Sequence, residues 1–355
     1  MQRTHGRHRA DDCGRLRRRS TQISGVIVRS VWYEVAVTQK PDVPIGDVER
    51  FLVEHHGGPV DALAPVAGGF WSAAYGYRFR DQNLVLRLGT IAEGFDADRA
   101  AMAFDGPDLP VPQIFSIGRA FDVGYAISAR HYGRFLEDVR PDESSRSGPM
   151  LGRLLRALRA IEERPDLSVS GRPADLAPLD SWRNTVERQL IDDGTSWIAG
   201  WRAALDQDPD LERLFRACEQ RVMELLEACT ERRHLVHGDL LYQNVLIGED
   251  ASNVRGVFSW KHSMRGDFLW DTAYCTFFSS WFAGVEAADP WAVTLETLTP
   301  EQHRDAGARH HCYELTIGAR HLGDYLFTND DENLRTARRR VAEILERGQL
   351  DDGPG

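Results

Sequence analysis

The segment LVHGDLLYQNVL, from Leu235 to Leu246, constrains the fold of this chain more than any other feature. Apolar residues flank a polar stretch that contains His237, Asp239 and Asn244. This pattern predicts two short buried strands joined by a loop that presents the Asp and Asn side chains. Asp and Asn are also common turn formers. A simple turn does not call for His237 as well, so we favour a functional loop.

This loop offers what phosphoryl transfer asks of a protein. The reaction needs a carboxylate that orients and deprotonates the attacking hydroxyl, and oxygen ligands that hold magnesium on the phosphates. His-x-Asp followed by Asn five residues later supplies both. We therefore predict that Asp239 is directed at the acceptor and Asn244 at the metal.

The rest of the chain divides into a strand-rich part and a helical part. Residues 45–56 have helical apolar spacing and end at Gly57-Gly58, which predicts a helix and its stop. Further predicted strands are 74–79, 84–88, 114–117 and 123–129, around a helix at 96–104. After Gly133 we predict helices at 146–164, 181–205, 211–230, 271–282, 300–326 and 331–347. We also predict a short strand pair that interrupts the helices, formed by residues 234–236 and 244–247 together with residues 256–258.

The predicted organisation is a disordered basic tail at 1–40, a first lobe at 41–132, and a helical lobe at 133–350. The tail carries Arg17, Arg18 and Arg19, but the run from Ile23 to Val37 is interrupted by charges, which disfavours an export signal. No apolar stretch reaches the roughly 20 residues that a membrane-spanning helix needs.

Composition restricts the partners. The 355 residues are 42% hydrophobic and 27% charged, which is typical of a soluble globular protein. The formal net charge of -11 argues against nucleic-acid binding and suits a cationic small molecule. The five cysteines are scattered without a CxxC pair, so a reducing cytoplasm is the expected location. Monomer or dimer is left open.

Residues 44–347 resemble the aminoglycoside phosphotransferase family. RHLVHGDLLYQNVL is similar to that family's catalytic loop. VLRLGTIAEGFDADR and LPVPQIFSIG resemble segments of its hygromycin B phosphotransferases. The resemblance implies an α+β, protein-kinase-like fold with a small antiparallel-sheet lobe and a larger helical lobe. It also implies ATP and Mg²⁺ as cofactors and a hydroxyl of an aminoglycoside or similar polar molecule as the acceptor.

The resemblance also implies residue roles. Asp239 matches the catalytic base, Asn244 a magnesium ligand, and His237 a support for the loop. Arg87 stands where most kinases have a lysine, and arginine can still contact phosphate. Its expected ion-pair partner is Asp98, with Glu93 as second choice, although such a pair is often only a surface salt bridge.

The remaining nucleotide contacts are expected in two places. The turn around Gly68, Gly69 and Ser72 would cover the phosphates, although a glycine pair is often only a turn. Ala129 falls in the run from Ile127 to Arg130, where the family's interlobe hinge offers backbone hydrogen bonds to adenine.

The chain departs from the family at Ser259. Where the family has Ile-Asp-Trp and the aspartate binds magnesium, this chain has Phe258-Ser259-Trp260. A neutral hydroxyl is a poor substitute because magnesium prefers carboxylates, phosphates and water. Three consequences are open: a nucleotide-binding pseudokinase with impaired catalysis, recruitment of another carboxylate such as Asp267, or partial replacement of the metal charge by Lys261.

On the acceptor side, Trp281 would stack on a sugar ring, or it is simply a core residue. Asp267 and Asp271 have a structural alternative as helix caps. Acidic runs, which suit a polycation but are usually solvated surface or caps, occur at 192–193, 206–210 and 330–332. The favoured function is an ATP-dependent phosphotransferase for an aminoglycoside-type hydroxyl. The alternatives are the pseudokinase and a kinase of another metabolite hydroxyl.

Overall fold

The first part of the chain forms a five-stranded antiparallel sheet, in which the strands 61–65, 72–79, 82–89, 123–129 and 114–120 are neighbours in that order. The computed structural model describes residues 40–67, 72–89, 93–161, 181–194 and 199–350. Residues 1–39 of the predicted tail and the pair Gly68-Gly69 lie outside these residues. The elements of this part are α1 (Ile45–His56), β1 (Asp61–Pro65), β2 (Ser72–Phe79), β3 (Gln82–Gly89), α2 (Glu93–Ala101), β4 (Ile114–Ala120) and β5 (Val123–Ala129).

The second part is mainly helical and contains two small sheets. In one, β6 (Arg134–Phe135) and β9 (Val254–Val257) flank β8 (Val245–Ile247), and in the other β7 (His234–Val236) pairs with β10 (Met264–Gly266). The predicted pairing of 234–236 with 244–247 is therefore wrong. Each strand instead pairs with one from another segment, so the loop between β7 and β8 connects two sheets.

The helices of the second part are α3 (Ser144–Arg159), α4 (Trp182–Arg188), α5 (Trp201–Leu205), α6 (Pro209–Leu225), α7 (Leu269–Phe278), α8 (Ala283–Ala287), α9 (Pro290–Leu295), α10 (Pro300–His303), α11 (Ala306–Phe327) and α12 (Asp331–Arg347). The helix predicted at 181–205 is not continuous, because Gly194 and Gly200 adopt left-handed conformations between α4 and α5. The helix predicted at 300–326 is broken at Asp305, which has a φ of 54°. The mostly helical second part and the antiparallel first part confirm the predicted α+β class.

Two apolar cores lie on either side of the join. The smaller one packs Val48 and Leu52 of α1 against the sheet residues Leu84, Leu86 and Leu88. The larger one gathers the helices of the second part, and it also includes Ala97 and Ala101 of α2. Because α2 belongs to the larger core while β3 belongs to the smaller one, the contacts of α2 with β3 connect the two cores. Among the described residues, no helix is long and apolar enough to span a membrane.

Candidate active site

A cleft with a volume of about 530 Å³ lies between the sheet and the helical part. Both sides contribute, since the lining extends from β2 and β3 to the loop after β7 and the segment after β9. The predicted site residues that line it are Ser72, Arg87, Asp98, Ala129, Asp239, Asn244 and Ser259. Residues from six separate segments of the sequence therefore surround one space.

His237 anchors the loop after β7 from the buried side. Its ring is fully buried, and Nε2 donates to the Phe258 carbonyl at 2.8 Å. Its Nδ1 accepts the Asp239 N–H at 3.2 Å. Burial lowers the pKa of His237 to about 4, so the ring is neutral with its proton on Nε2. The ring thus fixes the backbone of Asp239 against the end of β9.

Asp271 holds the same loop through its backbone. Its carboxylate accepts the N–H groups of His237 and Gly238, each at 2.8 Å. Gly238 has a φ of 79°, and a Cβ there would lie 2.8 Å from the His262 carbonyl oxygen, so only glycine fits this turn. The predicted capping role of Asp271 is therefore wrong, because the side chain leaves α7 and binds the loop.

Asp267 fulfils the structural role predicted for it. Its carboxylate is fully buried and accepts the Leu269 N–H at 3.2 Å at the start of α7. It also pairs with the buried guanidinium of Arg309 and accepts the Tyr313 hydroxyl at 2.9 Å. Because these contacts hold the Asp267 carboxylate in the interior, Asp267 does not replace the aspartate that the resemblance predicts at position 259.

Asp239 presents its carboxylate at the floor of the cleft. Its Oδ1 accepts the Tyr274 hydroxyl at 2.7 Å, and its carbonyl accepts the Asn244 amide at 2.9 Å. Burial raises the pKa of Asp239 to about 6, while Tyr274, the Lys261 charge and Asn244 act to lower it. At neutral pH the carboxylate is mostly ionised and can accept a proton.

Arg87 and Asp98 form the predicted ion pair across β3 and α2. Asp98 is only 3% exposed, which excludes the alternative of an ordinary surface salt bridge. Its Oδ1 also accepts the Trp260 N–H at 2.8 Å. The carboxylate therefore connects the sheet to the backbone just after Ser259.

Ala129 lines the cleft, but its backbone N–H donates to the Gln113 carbonyl at 2.8 Å. The next N–H, that of Arg130, donates to the Asn83 carbonyl at 3.0 Å. An adenine ring would therefore need other backbone groups of this segment. The hinge role of Ala129 stays a prediction.

The oxygen donors near Ser259 do not match a magnesium ion held by carboxylates. Asn244 donates its amide N–H to Asp239, which leaves its Oδ1 for a cation, but this oxygen is neutral. Ser259 adds only a hydroxyl and has a left-handed backbone, with a φ of 63°. Within the described parts of the chain, no three His, Cys, Asp or Glu residues form a metal-binding group.

A model of the phosphotransferase enzyme family, APH, matches residues 63–307. The chain belongs to this family. Its match to a curated protein, hygromycin-B 4-O-kinase of Escherichia coli, is 28% identical over 320 residues and covers 87% of this chain and 88% of the kinase. Membership confirms the predicted relationship and the expectation of a phosphotransferase with an alcohol group as acceptor.

Solved structures of the family share the fold. A thermostable mutant of aminoglycoside phosphotransferase APH(4)-Ia, in ternary complex with AMP-PNP and hygromycin B, has a TM-score of 0.69 and 25% identity, covering 87% of this chain and 99% of that one. Spectinomycin phosphotransferase APH(9)-Ia has a TM-score of 0.55 at 12% identity, covering 86% and 98%. These likenesses confirm the predicted two-lobe, protein-kinase-like fold.

The contacts of Trp281 in this phosphotransferase are structural. Its indole N–H donates to the Asn333 side chain of α12 at 2.8 Å. The ring packs against Phe277 and Phe278, with centroid distances of 5.6 and 5.2 Å. These contacts connect α7 to α12, and stacking of Trp281 on an acceptor stays a prediction.

The acidic runs contribute helix-terminal and turn contacts. Asp208 accepts the N–H of Leu211 at the start of α6, and Asp330 accepts the N–H of Asn333 at the start of α12. Asp192 accepts the Gly200 N–H at 2.8 Å. These contacts follow the ordinary preference of Asp for helix starts and turns.

Sequence reasoning missed Tyr274 and Glu137. Tyr274 lies three residues after Asp271 in α7, so helical spacing puts both on one face toward the loop. Glu137 follows β6, and its Oε1 accepts the Gln243 N–H at 2.6 Å, where Tyr242 and Gln243 have φ values of 60° and 69°. Burial raises the pKa of Glu137 to about 7. No sequence pattern connects Glu137 to a loop about a hundred residues later.

Proposed function

We propose that this phosphotransferase transfers the γ-phosphoryl group of ATP to a hydroxyl of an aminoglycoside-type antibiotic. The observation that carries this proposal is the Asp239 carboxylate, which lies in the cleft and is held by Tyr274 from one side and by the His237 ring through its backbone. The curated relative is named for phosphorylating hygromycin B, and a related structure contains hygromycin B with an ATP analogue.

In the proposed reaction, Asp239 takes the proton of the acceptor hydroxyl. The acceptor oxygen forms a bond to the γ-phosphorus as the bond from that phosphorus to the β,γ-bridging oxygen breaks. The electron pair of the broken bond stays on ADP. Because the pKa of Asp239 is about 6, the base is poised close to neutral pH, where general-base catalysis is effective.

The sheet side of the cleft would bind ATP. Arg87 is the cation directed at the phosphates, and Asp98 fixes it through the ion pair. Ser72 and the Gly68-Gly69 turn would cover the phosphates, and the segment around Ala129 would contact adenine. Magnesium, when bound, neutralises phosphate charge. Asn244 Oδ1 is the side-chain oxygen suited to hold it.

The acceptor would lie on the helical side, next to Asp239. Tyr242 is 36% exposed there and packs edge-on against Phe278 and Phe282, with centroid distances of 5.2 and 5.8 Å. This aromatic surface suits the face of a sugar ring. The net charge of -11 favours approach of a cationic acceptor. We place the enzyme in the cytoplasm, as the scattered thiols suggest.

The test is ADP release by the purified protein with ATP and a panel of acceptors. The panel contains hygromycin B, other aminoglycosides, spectinomycin, neutral sugars and amino alcohols. We expect turnover with a cationic aminocyclitol or aminoglycoside, and its loss in Asp239→Asn. Turnover only with the neutral sugars or the amino alcohols would identify a kinase of another metabolite, and nucleotide binding without any turnover would identify a pseudokinase.

A further inference from the structure

The cleft has no carboxylate at position 259 to hold a metal ion beside the phosphates. The side chains closest to the predicted metal position, Asn244 and Ser259, are both neutral. ATP brings several negative charges to this place, and its transferring phosphoryl group has to be neutralised in the transition state. A cation of this chain in addition to Arg87 would compensate for a weakly held metal at this place.

Lys261 lies where that charge is needed. It lines the cleft together with Ser259, Asn244 and Asp239. Its ammonium interacts electrostatically with the carboxylates of Asp239 and Asp98. The first carboxylate is the proposed base and the second holds Arg87, so Lys261 lies between the acceptor side and the nucleotide side of the cleft.

Local structure fixes the position of Lys261. It belongs to the single helical turn Trp260–His262, whose first N–H is bound by Asp98. Its stem passes over Gly94 at the start of α2, where a Cβ built on the glycine would lie 3.5 Å from the Lys261 Cβ. The Lys261 stem therefore packs against α2 at Gly94, and Lys261 lines the cleft.

The choice of lysine is itself informative. Of the 43 lysine and arginine residues, only Lys40 and Lys261 are lysines. Arginine serves as the cation almost everywhere else, including Arg87 and Arg130 in this cleft. A compact ammonium approximates the point charge of a metal ion more closely than a planar guanidinium does.

We infer that the Lys261 ammonium binds the β- and γ-phosphates of ATP beside Ser259, at the position predicted for a metal ligand. The ammonium then supplies part of the positive charge that a metal ion would bring, because Ser259 has no carboxylate to hold the metal. This inference rests on the proposed function, because it assumes that the cleft binds ATP. It identifies Lys261 as a further catalytic residue and predicts nucleotide binding with a reduced need for divalent metal.

The first test measures AMP-PNP binding by calorimetry, in EDTA and in magnesium. The parent is expected to bind in EDTA, and Lys261→Met to bind roughly tenfold or more weakly there, because a hydrogen bond between charged groups is lost. Lys261→Arg should retain part of the affinity because it keeps the charge. Lys40→Met is the matched control, with the affinity of the parent, and thermal melting checks that each variant is folded.

The second test uses an acyl-phosphate derivative of ATP, which acylates a lysine beside the terminal phosphate. Peptide mass spectrometry should find the label on Lys261, and excess ATP should prevent it. Lys40 serves as an internal control because ATP should not protect it. A folded Lys261→Met variant should lose the ATP-protected label.

Unchanged metal-free binding in Lys261→Met, or the absence of an ATP-protected label on Lys261, would overturn the inference. Failure of the parent to bind any nucleotide would overturn both the inference and the proposed function. Binding and labelling as expected, without phosphorylation of any acceptor, would refute only the proposed function.

Discussion

The loop from His237 to Asn244 and the segment from Phe258 to His262 form one site, yet they differ in how much of the family's chemistry they keep. The first has Asp239, the proposed base, and Asn244, while the second has Ser259 where the resemblance predicts a carboxylate. The two are firmly joined, because the Phe258 N–H donates to the Asn244 carbonyl at 2.9 Å and the Phe258 carbonyl accepts from His237 at 2.8 Å. Ser259 is therefore held beside Asn244, at the position predicted for a metal ligand, and its hydroxyl is neutral.

The comparison shows that the contacts that position Asp239, the proposed base, do not involve the side chain at position 259. Asp239 is supported by Tyr274, by His237 and, through the backbone of Gly238, by Asp271. All of these supports come from the helical part. The segment after β9 is instead fastened to the sheet side through Asp98. Substitutions in the two regions should consequently affect different measurements.

Asp239→Asn should have the largest effect, since it removes the base and leaves the fold. We expect kcat to fall by about 10²- to 10⁴-fold, the usual contribution of a general base. AMP-PNP affinity should stay within a few-fold of that of the parent. Steady-state kinetics with the best acceptor, combined with calorimetry, measures both. Equal activity in parent and variant would remove Asp239 from the catalytic role.

Asp271→Ala should come next, because two loop N–H groups lose their acceptor. We expect a loss of about 2–6 kcal/mol in the free energy of unfolding, from about 1–3 kcal/mol for each of the two unsatisfied groups. Loss of the loop geometry should also lower kcat by roughly 10- to 100-fold. Urea unfolding and kinetics test this. Asp271→Asn keeps one acceptor oxygen and should show smaller losses, and equal losses in both variants would contradict the assignment.

Ser259→Asp should increase the apparent affinity of the enzyme for Mg²⁺ on the order of tenfold, by restoring a carboxylate ligand. Aspartate also tolerates the left-handed backbone at this position better than serine. A magnesium titration of kcat measures the effect. Ser259→Ala is the control and should change little. A large loss in Ser259→Ala would mean that the hydroxyl is itself a metal ligand.

Tyr274→Phe should have the smallest effect, and it should appear in the pH profile. The base has to be ionised, so activity falls as the pH drops through the pKa of Asp239, which is about 6. The Tyr274 hydrogen bond stabilises the ionised form, so its removal raises that pKa. The acidic limb should move to higher pH, with a few-fold lower kcat near pH 6.5 and little change near pH 9. An unmoved limb would contradict this role.

Much of the fold was predictable because its signals are local. The helix from Ile45 to His56 ends at a left-handed glycine, and the helix from Asp331 to Arg347 begins after a capping aspartate, so periodicity and caps fixed their bounds. Strand pairing was not predictable at the loop. The partner of His234–Val236 is the three-residue strand Met264–Gly266, which is too short to show an alternating pattern.

The site was predictable where one motif carried the chemistry. Asp239 and Asn244 stand out in the sequence because spacing and residue type coincide. The support by Asp271 and Tyr274 was missed because it depends on which face of α7 meets the loop. The contact of Glu137 with Gln243 depends on tertiary packing alone.

The most direct test of the account is phosphorus NMR of hygromycin B incubated with ATP and the purified parent, over a series of free magnesium concentrations. The account predicts a phosphate-ester signal from the acceptor that is formed by the parent and is absent with Asp239→Asn. The account would be contradicted if ATP and the acceptor both stayed unreacted at every magnesium concentration while the protein still bound AMP-PNP.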